Sequence, residues 1–490
     1  MREQTMIRIA SKKNKYTYNA YHIVKSFFPG EEIIQKVDEK QEPLMAVQLP
    51  GGSCFSLAAE EMEQALKGRE FPAEEAREQA EKKEVTRRLY LYLCEETGRE
   101  LAWGTLTGVR PTKIPMEQLE LGASEEEAAA LMHQNYYVSR EKAKLASEVA
   151  AREKALLSRL DCENGFSLYV GIPFCPSVCS YCSFSSSPIG QWRDRTDDYL
   201  EALIKEIRYL GSRTEGRRPD TVYIGGGTPT TLEAGQLRRL FDAVEECFDL
   251  TNLLEFTVEA GRPDSITEEK LDVIRSYPVT RISVNPQTMQ QKTLDLVGRR
   301  HTAAQTAEAF RLARRMGFDN INMDLIAGLP GETVEDMKDT LAQIEALHPD
   351  SLTVHALAIK RAARLGQEGR TADLHAEITR MVEEAYACAR RMGLAPYYLY
   401  RQKNIAGNFE NVGYAELDKA GIYNILIMEE KQTILAAGAG ASTKILLKDP
   451  IRKEGGKEIN LVRAENVKSI SEYISRIDEM IERKGEWLWR

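Results

Sequence analysis

No stretch of this 490-residue chain is apolar for long enough to cross a bilayer, which takes about 20 residues. Nothing near its N-terminus reads as a secretory leader. Positive charge is also short: 66 Lys and Arg stand against 75 Asp and Glu, a formal net charge of −9. That balance argues against bulk attraction to nucleic acid or to an anionic membrane, while leaving room for a local basic pocket. Cysteine is sparse, eight residues in all, too few for a disulfide-rich scaffold. These absences lead us to expect a reducing cytoplasm, no membrane span and no nucleic-acid partner. What is present, 42% hydrophobic and 29% charged residues, describes ordinary globular domains, and the length suits about three of them.

Three of the eight cysteines fall in one short loop, Cys175, Cys179 and Cys182, at the spacing C-x3-C-x2-C. A β-branched and aromatic run from Ser167 to Ile172 leads into it, and Pro173 ends that run. Thiolates at the mouth of a strand can meet one shared object, and they select zinc, copper(I) or an iron–sulfur cluster. A structural zinc wants four ligands, and no fourth Cys or His lies nearby. Three thiolates on a four-iron cluster would leave one iron open for chemistry. A disulfide with a spare thiol, or three small buried hydrophobes, are the plainer alternatives.

The chain changes character twice. Before about residue 160, strands are expected at Ile7–Ala10 and Leu44–Leu49. Helices are expected at Tyr16–Phe28, Glu60–Leu66, Ala73–Cys94, Glu125–Met132 and Arg140–Leu160. Gly108-Val109-Arg110-Pro111-Thr112-Lys113 is a basic loop that suits an anion site or an ordinary turn. From Phe166 strands and helices alternate. The strands are Ser167–Ile172, Thr221–Gly225, Leu254–Ala260, Thr280–Asn285, Asn320–Ile326 and Ser351–Leu357. That alternation predicts a parallel sheet with crossover helices, and six units fall short of the eight of a closed barrel. The expected fold class is therefore α/β. Residues 161–393 form an open, six-unit partial (βα) barrel, with an N-terminal α+β domain over 1–160 and a C-terminal α+β domain over 394–490. In the last region, Ile422–Met428 and Thr433–Ala436 read as strands, and Ser469–Glu482 as a terminal helix.

Ligands in such sheets sit beyond the carboxyl ends of the strands, and the unusual residues fall there. Gly226, Gly227 and Thr228 follow the second strand, where a glycine run lets backbone pack close to a ligand. Glu259 ends the third strand, a carboxylate in an apolar run that needs a partner or a task. Gln287 follows the fourth, Arg299 lies in Val297-Gly298-Arg299-Arg300-His301, and Asp324 interrupts the fifth. Together they suit a polar ligand bearing hydroxyls, an ammonium and a carboxylate. His355 on the sixth strand has a weaker claim, because a lone histidine on a strand is more often a satisfied core residue than a site residue.

With these residues in place, the chain resembles the radical S-adenosylmethionine (SAM) enzymes. It resembles more narrowly the oxygen-independent coproporphyrinogen III oxidase (coproporphyrinogen dehydrogenase) family, over roughly Phe166 to Ser442. The resemblance is carried by Tyr169-Val170-Gly171-Ile172-Pro173-Phe174-Cys175, the other two loop cysteines and Gly225-Gly226-Gly227-Thr228-Pro229. The segments Tyr400-Arg401-Gln402-Lys403-Asn404 and Gly407–Tyr414 look like the branch in Gram-positive bacteria with an extra N-terminal domain. The resemblance implies that Cys175, Cys179 and Cys182 ligate a [4Fe-4S] cluster, and that Gly226, Gly227 and Thr228 meet the amino group of SAM. It gives the SAM carboxylate to Arg299, and its other amino-acid and ribose groups to Glu259, Gln287 and Asp324. Tyr169 would sit between cluster and substrate. The implied substrate is a tetrapyrrole whose propionates become vinyl groups. Candidate cations for those propionates are Arg262, Arg361, Arg364, Arg401 and Lys403. An electron donor such as flavodoxin or ferredoxin is implied, and a monomer is expected. Two departures stand out. Phe184 occupies the place where the dehydrogenase carries a further cysteine, which puts a second SAM in question. The heme-chaperone branch resembles Tyr181-Cys182-Ser183-Phe184, but its His-Asn-x-x-Tyr-Trp segment does not stand at Arg401–Asn404. Enzyme therefore leads over chaperone.

Overall fold

The structure is a computed structural model that describes residues 6–28, 31–162, 164–357, 371–401, 409–452 and 458–489. It divides into two compact units. One extends to Ala151 and takes in Arg401 and Glu410; the other holds most of the chain from Arg152 onward.

The first unit carries a four-stranded sheet built from β1 (Met6–Ser11), β2 (Glu32–Val37), β3 (Met45–Gln48) and β4 (Cys54–Leu57), in the order β2-β1-β3-β4. Helices Asn14–Phe27 and Glu74–Thr97 share a core with it, through Ile7, Ile9, Ile23, Phe27, Val47 and Leu89. The expected strands and helices of this region are present within a few residues. β2 and β4 were not expected. β2 is an exposed edge whose apolar residues Ile33, Ile34 and Val37 do not alternate, and β4 alternates over only four residues, too short a run to stand out as a strand.

In the second unit six parallel strands follow one another in the sheet. They are β5 (Gly165–Ile172), β8 (Arg218–Gly226), β9 (Glu255–Gly261), β10 (Arg281–Val284), β11 (Ile321–Ala327) and β12 (Ser351–Ala356). Helices Thr196–Ser212, Ala234–Cys247, Glu268–Arg275, Ala303–Arg315 and Val334–Leu347 link them, and Thr371–Arg391 follows β12. Two short strands, β6 (Phe174–Cys175) and β7 (Ser187–Pro188), pair with each other outside this sheet. The six-unit reading holds, and each expected strand lies within a few residues of the observed one. β5, β10 and β11 are buried along nearly their whole length, as expected where crossover helices cover the sheet.

The last region departs from expectation. Beyond β12 lie β14 (Glu410–Ala415), antiparallel to it, and then β13 (Ala395–Arg401). On the other side, β15 (Ile434–Ala437) pairs parallel with β5, followed by β16 (Ser442–Arg452) and β17 (Glu458–Glu465). The sheet thus has eleven strands in one order with two ends, and the C-terminal strands continue it instead of forming a third domain. Ile422–Met428, expected as a strand, is the helix Ile422–Glu429. It buries Ile422, Tyr423, Ile425, Leu426 and Glu429, and a helix apolar nearly all round loses the 3.6-residue period that would betray it. The terminal helix is broken at Arg476 into Ile470–Ser475 and Ile477–Gly485. Among the described residues no helix is long and apolar enough to cross a membrane.

Candidate active site

The cysteine loop is clasped at both ends. Phe174 and Cys175 pair with Ser187 and Pro188, and the Ser187 amide donates to Pro173 O at 2.8 Å. Its middle is held from the segment after β10: the Ser180 amide donates to Val297 O at 3.1 Å and Ser177 Oγ to Gly298 O at 3.0 Å. Arg262, just past β9, grips the same turn, with Nη1 donating to Ser177 O at 3.1 Å and to Ser177 Oγ at 2.7 Å. Its other edge closes on Asp264, Nε to Oδ1 at 2.9 Å and Nη2 to Oδ2 at 2.7 Å. Arg262 was a candidate for substrate propionates; it is buried and fully engaged in holding the loop.

All three thiols are unpaired and half-buried. Burial pushes the Cys182 thiol up, and the neighbouring Cys179 and Cys175 add to it. Among the described residues no three Cys, His, Asp or Glu side chains converge closely enough for a single metal ion. A polynuclear cluster meets each thiolate at a different iron, so three spaced thiols on a clasped loop fit it. Phe184, 73% exposed, borders them with an apolar side chain.

The glycine turn after β8 packs on this loop. Gly227 donates its amide to Ile172 O and Thr228 its amide to Phe174 O, both at 2.7 Å, and Thr228 Oγ1 lies 3.6 Å from Cys175 Sγ. A Cβ on Gly227 would stand 2.5 Å from Phe174 O and 3.0 Å from Cys175 Sγ, so only glycine permits this approach. An ammonium only donates, so the groups the turn can offer it are carbonyls.

Around the turn, neighbouring strands bring the expected polar residues together. Glu259 accepts hydrogen bonds from Tyr223 and Ser283 hydroxyls and from Asn285 Nδ2 at 2.9 Å. Burial pushes its carboxyl above the ordinary range, and the charge of Asp324 pushes it further. Asn322 Nδ2 donates to Asp324 Oδ1 at 2.7 Å. Gln287 takes a left-handed backbone at φ 67°, its amide bonded to Asp324 O and its carbonyl to the Ile326 amide, each at 2.9 Å. A non-glycine residue held there is strained, and such strain collects at functional sites. Arg299 is buried, with Nη1 on Tyr181 OH at 3.1 Å and Nη2 on Asn285 O at 2.5 Å, while its buried Nε has no partner. Tyr169 stacks on Tyr223 and Tyr423 at centroid distances of 6.3 and 6.1 Å, with its hydroxyl beside Gly226. Burial, helped by Glu259, pushes its phenol up to about 12. His355 stands on β12 opposite Ile326.

Several residues of this site went unread in the sequence: Asp264, Tyr181, Asn285, Ser283, Tyr223 and Tyr423. Asn285 closes a strand already singled out, which is a usable signal. Tyr423 had none, because its helix was expected to be a strand. Of the other propionate candidates, Arg361, Arg364 and Lys403 lie outside the described residues, and Arg401 belongs to the N-terminal unit.

Six βα units with three thiols at the mouth of the first define the class. The family model of the Radical SAM superfamily matches residues 169–344, and this protein's cofactors are accordingly a [4Fe-4S] cluster and SAM. The fold agrees with the solved structure of coproporphyrinogen III oxidase (HemN) from Escherichia coli, a radical SAM enzyme, at TM-score 0.51 and 24% identity over 69% of this chain and 73% of that one. Within the class, the chain is 42% identical over 391 residues to the oxygen-independent coproporphyrinogen-III oxidase-like protein HemZ of Bacillus subtilis, covering 78% of this chain and 77% of the relative. The chain belongs to that oxygen-independent coproporphyrinogen-III oxidase-like family. It is also 35% identical to the heme chaperone HemW of Bacillus subtilis, over 42% of this chain and 54% of that relative.

Proposed function

We propose that this protein is a radical SAM oxidoreductase of anaerobic heme biosynthesis, converting propionates of coproporphyrinogen III to vinyl groups and yielding protoporphyrinogen IX. The likeness to an oxidase-like relative across both units carries the reading, because the chaperone likeness covers less than half the chain. Bound together, the cluster and SAM supply a carbon-centred radical able to take a hydrogen atom from a propionate arm.

The residues of the chain divide the remaining work. Cys175, Cys179 and Cys182 would hold the cluster, with Arg262 and the glycine turn fixing the loop. Carbonyls of the turn Gly226-Gly227-Thr228 would accept from the SAM amino group, and the idle Nε of Arg299 would meet its carboxylate. Asp324 and Gln287 would take ribose hydroxyls. Glu259 would order Tyr223, Ser283 and Asn285 around them. Tyr169, packed against Gly226, would shield the cluster side from the substrate side. An electron donor such as flavodoxin or ferredoxin would supply the reducing electron.

The second reading, a heme-binding chaperone, is favoured by Phe184, which replaces the cysteine expected of the dehydrogenase. Anaerobic incubation of reconstituted protein with SAM, a reductant and coproporphyrinogen III decides between them. Mass spectrometry should find vinyl products and carbon dioxide alongside 5′-deoxyadenosine. If no vinyl product forms with any reductant while heme binds stoichiometrically and passes to an apoprotein, the chaperone reading replaces this one.

A further inference from the structure

One guanidinium of the N-terminal unit is buried with part of its donor set idle. Arg401 is 1% exposed. Its Nη1 donates to Leu106 O at 2.8 Å, its backbone amide donates to Val109 O at 2.8 Å, and its Cζ lies 5.4 Å from the centre of the Trp103 ring. Nε and Nη2 are buried without a hydrogen-bond partner. The carboxylate that acts on it through space, Glu410, is already held by Lys142 and by Trp103 Nε1 at 2.8 Å. A buried charge without a bonded counter-ion is expensive, and so are idle buried donors.

The idle pair has a shape. Nε–H and Nη2–H point the same way along one edge of the guanidinium and match two coplanar oxygens. In this same chain that edge of Arg262 grips the carboxylate of Asp264. The loop that Arg401 fastens runs on to Thr112, whose hydroxyl is also buried without a partner. Trp103, fully buried, supplies an apolar wall suited to an organic anion more than to an inorganic one.

We propose that the N-terminal unit carries a carboxylate-binding site in which the Nε–Nη2 edge of Arg401 clasps an organic carboxylate, with Trp103 as its apolar neighbour. The site uses no residue of the cysteine loop or the strand mouths, so it stands whichever tetrapyrrole the second unit takes. The carboxylate has two sources, a propionate arm of a tetrapyrrole or a small free acid.

The test titrates the full-length protein with coproporphyrin III, its tetramethyl ester, propionate and inorganic phosphate. Binding is read by equilibrium dialysis and by tryptophan emission, with W103F assigning the local signal. A free carboxylate should bind saturably and change emission in the parent but not in W103F. R401K keeps the charge but loses the side-on edge, and should weaken that binding by about tenfold. Saturation by coproporphyrin alone names the tetrapyrrole arm as the source; saturation by propionate at similar concentration names a small acid. The ester tests the carboxylate without touching the fold, should R401K fail to fold. The proposal is overturned if no free carboxylate binds, if phosphate alone binds, if the ester binds as tightly as the acid, or if folded R401K binds like the parent.

Discussion

Glu259 shows what a single residue of this site does to stability. Burial and Asp324 raise its carboxyl above the ordinary value of 4.5, so the folded chain binds its proton more tightly than the unfolded one. Stability therefore falls as pH rises from about 4.5 through the raised value. Glu259→Gln cannot ionise. Relative to the parent it should gain stability toward pH 8, the gain fading below about pH 4.5. Urea midpoints across that range give the sign, and a gain that grows toward acid would refute it. Arg262 makes the second case. Arg262→Lys retains a cation but cannot hold Ser177 and Asp264 together, and loss of those buried bonds should cost about 1–3 kcal/mol. Iron should pass from the reconstituted protein to a chelator severalfold faster. Equal rates would mean that the loop does not depend on this grip.

At the scale of elements, the glycine turn and the cysteine loop form one piece of structure, because the turn's amides are bonded to the loop's carbonyls. Gly227→Ala places a methyl group 2.5 Å from a backbone oxygen that cannot move without dragging Cys175 along. The variant should fold, since β8 and its helix are otherwise untouched, yet hold less than about half the parent's iron after anaerobic reconstitution, through overpacking at one ligand. Parent-level iron would show that the loop is looser than its bonds suggest. The turn was legible in the sequence as a glycine run at a strand end. That its amides bond the loop was not, because the pairing joins residues more than 50 positions apart.

At the scale of the second unit, the last helix is tied to the first crossover helix by an ion pair with no exposure. Lys484 donates to Glu206, which also accepts from Tyr473 OH at 2.5 Å, Asn466 Nδ2 at 2.9 Å and the Gly438 amide at 2.9 Å. Gly438, at φ 110°, in turn packs on Gly171 two residues before the cysteine loop's proline. Lys484→Met leaves Glu206 buried without its cation and should cost about 3–5 kcal/mol, partly recovered by adding Glu206→Gln. Urea denaturation of the single and double variants measures both. A single variant as stable as the parent would show that the pair is not needed.

The sequence alone determined the class of this protein: three cysteines at a fixed spacing, a glycine run at the next strand end, and six turns of strand and helix. Each of those signals lies within one element or one loop, where periodicity and turn chemistry act over a few residues. Only the tertiary structure decided that Arg262 serves the loop and not a substrate, and that Tyr423 joins the stack on Tyr169. Only it showed the C-terminal strands extending the sheet beside β5, and Arg401 keeping an open edge. These depend on partners brought together across the fold, Glu206 and Lys484 being 278 positions apart, and no local pattern in a chain records which distant residue a side chain will meet.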